Sequence, residues 1–260
     1  MIRCLYTAAT GMLAEQINQD VIANNLANVQ TVGFKAARAE FQDLMYQVYR
    51  QAGAETTSGS PLPLGMEVGL GSRLTAIQKL FTQGDYQQTG NRFDWAIEGE
   101  GFYQIDNNGT TVYTRSGNFK VSKEGYLVNT EGLKLIPQVS VPQETVNFTI
   151  DNGGTWTATD KNGTTLATGR IELARFINPA GLTSLGRNLY GVTEGSGDAM
   201  TGNPDTEGFG IITQSFLEMS NVNVVDEMVQ MIIGQRAYEI NSKSIQTADN
   251  MLQIVNNLKR

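Results

Sequence analysis

The sequence predicts an α+β protein. Two long terminal helices, packed as a coiled-coil-like inner domain, flank a central and mainly antiparallel β-domain. Three observations carry this prediction. Apolar residues recur at steps of three and four near both ends of the chain. Between them, short apolar and β-branched runs alternate with Asn-Gly, Asn-Asn-Gly and Glu-Gly pairs that supply the positive φ of tight hairpins. No run of helical length and period interrupts that central series, so an α/β sheet with crossover helices is excluded.

The first helix is expected over residues 4–29. Leu5, Ala8, Met12, Gln19, Ile22, Leu26 and Val29 fall on one stripe, with Glu15 inside the series. Gly11 weakens the helix by about 1 kcal/mol. Its closing turns hold Asn24, Asn25 and Asn28, and Gly33 and Phe34 lie beyond. A side-chain amide carries donors and an acceptor, so such an end can hydrogen-bond sideways as well as along the axis.

Residues 36–71 change character and are expected to form an extended arm or β-hairpin insertion. Phe41, Leu44, Met45, Val48 and Tyr49 suit a short helix or an edge strand. The run from Gly53 to Gly65, with Pro61 and Pro63, suits a linker or an arm lying on a neighbour. Residues 72–219 are expected to form the β-domain, through Phe102–Ile105, Val112–Thr114, Tyr126–Val128, Val146–Ile150 and Ile171–Phe176.

Residues 220–260 return to helix. Asn223 is the expected N-cap, and Asp226 and Glu227 sit where the helix dipole favours negative charge. Lys259 and Arg260 supply the matching cations after a rod of about 50 Å. Its stripe is Met228, Ile232, Gln235, Tyr238, Ser242, Ile245, Ala248, Leu252 and Val255. Gln235 and Ser242 would weaken a simple two-stranded coil, so they suit register-setting contacts with amides on another helix. A two-helix hairpin cannot bury such mixed faces by itself. The helices therefore fold back on the β-domain or pack with copies of the same chain.

The chemistry available to the chain is narrow. Its 260 residues include no histidine and one cysteine, Cys4. That removes the commonest general base, the commonest zinc ligand and any internal disulfide. The net charge of −7 and the absence of a Lys/Arg run argue against nucleic acid. No apolar segment is long enough to span a membrane, and the N-terminal stretch is a poor signal peptide because Thr7, Thr10, Gly11 and Glu15 break it. Only 17% of residues are charged, which suits either extensive packing against other chains or a β-rich extracytoplasmic protein.

Glu98 and Glu100 could form a carboxylate pair, but their spacing fits a turn with solvated acids better. The turns at Asp151 and Asp160 lack the remaining ligands of a calcium loop. Gly69-Leu-Gly71 and Gly208-Phe-Gly210 lack the spacing of phosphate-binding loops. Cys4 is expected to be a buried structural thiol, and Trp95 and Trp156 to be β-core or edge residues. No cofactor, metal or catalytic residue is expected. The rival readings are a secreted adhesive or carbohydrate-binding β-domain with coiled-coil tails, and an enzyme built on Glu98 and Glu100.

Several motifs together carry a family resemblance. Thr10-Gly-Met-Leu-Ala14 followed by Ile22-Ala-Asn-Asn-Leu-Ala-Asn-Val-Gln-Thr-Val-Gly-Phe-Lys35 resembles the N-terminal signature of bacterial flagellar rod and hook proteins. Ser220-Asn-Val-Asn-Val-Val-Asp-Glu-Met-Val229 and Gln235-Arg-Ala-Tyr-Glu-Ile-Asn-Ser-Lys243 resemble its closing helix. The middle agrees at Gln88-Thr-Gly-Asn91, Ala96-Ile-Glu-Gly-Glu-Gly-Phe102 and Tyr113-Thr-Arg-Ser-Gly-Asn-Phe119. Length, the 41–53 stretch with its Pro-Leu-Pro-Leu-Gly sequel, and Asn241-Ser-Lys-Ser244 are closest to the distal-rod branch, with a proximal-rod or hook-type axial protein as the alternative within the family.

The resemblance implies a non-enzymatic subunit that polymerises with itself into a helical tube. Proximal rod proteins and hook protein would lie at the tube's ends and bushing rings around it. The chain would leave the cell through the type III export apparatus without a cleaved signal, and the tube would cross the periplasm in the basal body. The subunit interface is then expected at Asn24, Asn25, Leu26, Asn28, Gly33, Phe34, Met228, Ile232, Gln235, Tyr238, Ser242, Ile245 and Leu252.

Overall fold

The computed structural model describes residues 2–53, 63–206 and 208–258. Most of the Gly53–Gly65 run, and the cations Lys259 and Arg260, lie outside the described residues. The chain divides into two compact units. One comprises residues 1–26, 37–78 and 223–260, the other residues 27–36 and 79–222.

The helical unit is built on α1, Ile2–Ala27, and α2, Val224–Leu258. They run antiparallel. Asn25 Nδ2 donates to Glu227 Oε1 at 3.0 Å, and further along, Gly234 faces Glu15 while Gly11 faces Asn241. Each glycine faces the movable end of a polar side chain. A Cβ on Gly234 would lie 3.1 Å from Glu15 Oε2, and one on Gly11 2.9 Å from Asn241 Nδ2. The missing Cβ at each point leaves space in which a polar side chain of the other helix lies. The expected cap is present, with Asn223 Oδ1 accepting from Val225 N–H at 3.1 Å.

A β-ribbon completes this unit. Strand Ala37–Asp43 pairs with Ser72–Lys79, and Tyr46–Arg50 pairs antiparallel with Met66–Gly69. The Leu44 N–H donates to Gly71 O at 2.8 Å and ties the two pairs together. The residues 72–78, expected to open the β-domain, are thus the ribbon's return strand, because their ladder partners lie at 37–43. The ribbon reaches α1 at Gly71, where the positive φ of 116° and a Cβ position only 2.2 Å from Thr10 Oγ1 both demand glycine.

The β-unit contains a nine-stranded sheet. Its central pair is the antiparallel hairpin Phe102–Asn107 and Thr110–Thr114. The turn between them has Asn108 at φ 52° and Gly109 at φ 90°, as the Asn-Asn-Gly sequence predicts. A three-stranded sheet, Asn147–Ile150, Thr155–Thr159 and Thr165–Arg170, turns at the Asp151 and Asp160 loops. Those loops are hairpin connections, as expected.

Trp95, Tyr103, Phe119, Phe148 and Trp156 fill the main core. The Trp95 ring stacks on Phe148, and Phe148 stacks on Trp156. Phe102, Tyr113, Phe176 and Tyr190 form a second cluster of edge-to-face rings. Gly117 is wedged against Trp95, where a Cβ would fall 1.6 Å from the Trp95 carbonyl oxygen.

Candidate functional site

Two hydrogen-bonded hubs organise the motif residues, one in each unit. In the helical unit the hub is Asn25, which is only 1% exposed. Its Oδ1 accepts from the Ala37 N–H at 2.9 Å, and its Nδ2 donates to Ala37 O at 2.8 Å and to Glu227 Oε1. One amide thus fixes the start of the ribbon and the first turn of α2 against the last turns of α1. Burial pushes the Glu227 carboxyl above its usual value, and the Asn25 donor partly restores it.

In the β-unit the hub is Glu218, 1% exposed. Its Oε1 accepts from Lys35 Nζ at 2.6 Å and its Oε2 from Arg115 Nε at 2.6 Å. Oε1 also accepts from the Gly84 N–H at 3.1 Å, and the backbone O of Glu218 accepts from the Gly33 N–H at 2.8 Å. Lys35 donates in addition to Thr82 O at 2.7 Å. Arg115 spreads over the carbonyls of Ile97, Gly99 and Gly101. Burial lowers the Lys35 ammonium below its ordinary value against the pull of Glu218. Asn221 adds an amide bridge, accepting from the Ala36 N–H at 2.7 Å and donating to Leu80 O at 2.9 Å. This arrangement holds two segments of chain together.

Three family profiles match the chain. "Flagella basal body rod protein" covers residues 5–35, "Flagellar hook protein FlgE/F/G D1 domain" covers 96–158, and "Flagellar basal body rod FlgEFG protein C-terminal" covers 213–258. Relatives match over the full length. Flagellar basal-body rod protein FlgG of Borreliella burgdorferi is 50% identical over all of both chains. The proteins of that name from Agrobacterium fabrum and Bacillus subtilis are 44% and 38% identical, over at least 99% of this chain and all of theirs. The chain belongs to the flagellar basal-body rod protein family.

Both hubs of this rod protein lie in or beside the matched terminal segments. Of the residues expected at the subunit interface, Asn25, Gly33 and Phe34 are buried within the chain itself. Gly33 has φ 69°, and a Cβ there would lie 2.7 Å from the Ser116 N. Phe34 packs with Ala36 and Val222, and the Lys79 ammonium lies 5.5 Å from its ring centroid. Asn24 is exposed, while Leu26 and Asn28 are half-buried, Asn28 Oδ1 accepting from Thr31 Oγ1 at 3.2 Å.

On α2, Met228, Ile232, Gln235, Tyr238 and Leu252 are exposed and Ser242 and Ile245 half-buried. Of the expected stripe Ala248 is buried, and the other least exposed positions on the α1 side are Glu227, Met231, Gly234, Ala237 and Asn241. The apolar period passed over Gly234, Ala237 and Asn241 because small and polar residues carry little apolar signal. Cys4, expected to be buried, is exposed. It lines a groove of about 410 Å³ with Ile240, Ser244, Ala248 and Met251. Trp95 and Trp156 are core residues. Glu100 is paired with Arg175 at 2.6 Å and Glu98 is exposed. No helix among the described residues is long and apolar enough to cross a membrane.

Sequence reasoning missed Glu218, Arg115 and Asn221. Asn221 and Arg115 lie within the motifs that carried the family resemblance, which was the available signal for them. Glu218 had none, since a lone acid in a strand looks like any solvated carboxylate.

Proposed function

We propose that this rod protein is a non-enzymatic axial subunit of the distal rod, the drive shaft that transmits torque from motor to hook. Copies add head to tail into a helical tube that crosses the periplasm and encloses the export channel. The tube meets proximal rod proteins at one end and hook protein at the other, with bushing rings around it. The chain reaches its place through the type III export apparatus. The observation that carries the reading is the exposed apolar surface of α2. Val225, Met228, Ile232, Ile233, Ile254 and Val255 are each at least half exposed on one helix. A monomer seldom leaves so long an apolar surface in water, whereas a subunit buries it against copies of itself.

The ribbon supports the same reading, with Met45, Tyr46, Tyr49 and Met66 more than half exposed. It is the arm expected to bridge neighbouring subunits and stiffen the rod. Electron microscopy of basal bodies from cells lacking this protein tests the proposal. Assembly is expected to stop after the proximal rod, with no hook, and labelled protein returned to such cells is expected in the distal axial tube. Complete rods and hooks in the deletion strain would refute it.

A further inference from the structure

We propose that a cavity beside the Glu218 hub is a binding site for one small carboxylate, taken either free or as a side chain of a neighbouring protein chain. All of its walls belong to the β-unit.

The cavity measures about 110 Å³. At about 30 Å³ for each water-sized group, it has room for a carboxylate and the one carbon that bears it. Phe81, Phe102 and Phe176 form its apolar side, with Phe102 edge to face against both other rings. Lys35, Arg115 and Arg175 form its charged side, with Glu100 at the rim.

These three cations share two carboxylates. Glu218 pairs with Lys35 and Arg115, and Glu100 pairs with Arg175. One positive charge is left over. Lys35 and Arg115 are 1% and 5% exposed, so water screens that charge poorly. Arg115 is well supplied with acceptors, namely Glu218, Gln83 and the carbonyls of Ile97, Gly99 and Gly101. Lys35 is not. An ammonium has three donors, and Lys35 uses two of them, on Glu218 Oε1 and Thr82 O. The third finds no acceptor among the described residues. Burial, with Arg115 adding to it, holds this ammonium below its ordinary value in spite of Glu218.

A buried cation that lacks one acceptor and one counter-charge is completed by a monoanion. A carboxylate brings a single charge and two oxygens, and its carbon stem suits the phenylalanine rings. A phosphate group brings more charge than the site lacks. A neutral amide brings the acceptor without the charge.

The purified full-length chain tests this, with acetate as the probe and acetamide as its uncharged match, at ionic strength fixed with chloride. Acetate is expected to shift the backbone amide resonances of Gly99 and Gly101 saturably, and acetamide to leave them in place. Two variants at the exposed rim spare the buried hub and separate binding from mere structure. Glu100→Gln removes the rival carboxylate and is expected to tighten acetate binding about tenfold. Arg175→Gln removes a cation and is expected to weaken it about tenfold, the scale of one nearby, partly screened charge. A purely structural role for this ion pair would move both variants the same way. No saturable shift with acetate, an equal shift with acetamide, or weaker binding in both variants would overturn the proposal.

The source of the carboxylate is read in isolated basal bodies. Ile177 adjoins Phe176 and is 80% exposed, so p-benzoylphenylalanine in its place samples the mouth of the cavity. A photoadduct beside an Asp or Glu of a second chain identifies a side chain as the occupant. No adduct, with acetate still saturating the purified chain, identifies a free carboxylate. An adduct on a segment without an acid would overturn the proposal, because something else then covers the mouth. The acetate arm does not depend on the axial-subunit reading above, so the two can fail separately.

Discussion

At the scale of single residues, Glu218 carries the sharpest consequences. It is a buried carboxylate between two buried cations, so removing it leaves Lys35 and Arg115 without their counterion. Glu218→Ala is expected to cost about 3–5 kcal/mol in urea unfolding of the β-unit. Asn25→Asp tests the other hub. An aspartate keeps the bond from Ala37 N–H, loses both donated bonds and faces Glu227. It is expected to destabilise the helical unit by about 1–3 kcal/mol and more than Asn25→Ala, read as faster amide exchange in the last turns of α1.

Tyrosines set the alkaline limit of the β-unit. Burial, with Glu218 adding to it, pushes Tyr86 and Tyr190 up to about 12 from the ordinary 10.0. The unfolded chain loses these protons near pH 10 while the folded chain holds them. Their contribution is fully present below pH 10 and lost as pH rises toward 12. Burial lowers Lys35 from 10.5, so that group works in the opposite sense as pH approaches its unfolded value. Unfolding of the β-unit is expected to coincide with tyrosinate absorbance. Titration of all tyrosines near pH 10 with the fold intact would contradict this.

At the scale of elements, the hairpin at Asn107-Asn-Gly109, the Asn223 cap and the first helix were legible within a few residues. Each depends on local chemistry, a positive φ, a side-chain acceptor or a period. The pairing of α1 with α2 was legible only in outline. Met228, Ile232 and Tyr238 belonged to the apolar period expected on α2, yet they are exposed; Ala248 of that period is buried, and the other positions against α1 are Gly234, Ala237 and Asn241. Small residues permit close approach precisely where hydropathy falls silent. Gly234→Leu is therefore expected to force α2 away from Glu15 and Gln19 and abolish helix pairing, measured as loss of exchange protection in both helices. Ile232→Leu, on the exposed face, is expected to leave the isolated chain unchanged. Likewise Asn25 was recognisable as an amide bonding sideways, but its partner Ala37 was not, because the ribbon's return over α1 is a tertiary event.

At the scale of the whole molecule, the ribbon offers the test of stiffness. Removing residues 46–65 takes away the Tyr46–Arg50 strand, and with it the pairing to Met66–Gly69, and leaves the Ala37–Asp43 ladder with Ser72–Lys79 in place. Rods built from this variant are expected to bend more readily under fluctuation analysis in electron micrographs. Equal persistence lengths would remove the arm's assigned role. The hub at Glu218 has a different consequence, one of spacing rather than strength. Through Gly33, Lys35 and Glu218 the chain segment that enters the β-unit and the strand that leaves it are bonded side by side. Entry and exit therefore share one fastening, and a change of length at a distant hairpin of the β-unit, such as the Asp160–Gly163 turn, leaves the distance between the two crossing points unaltered.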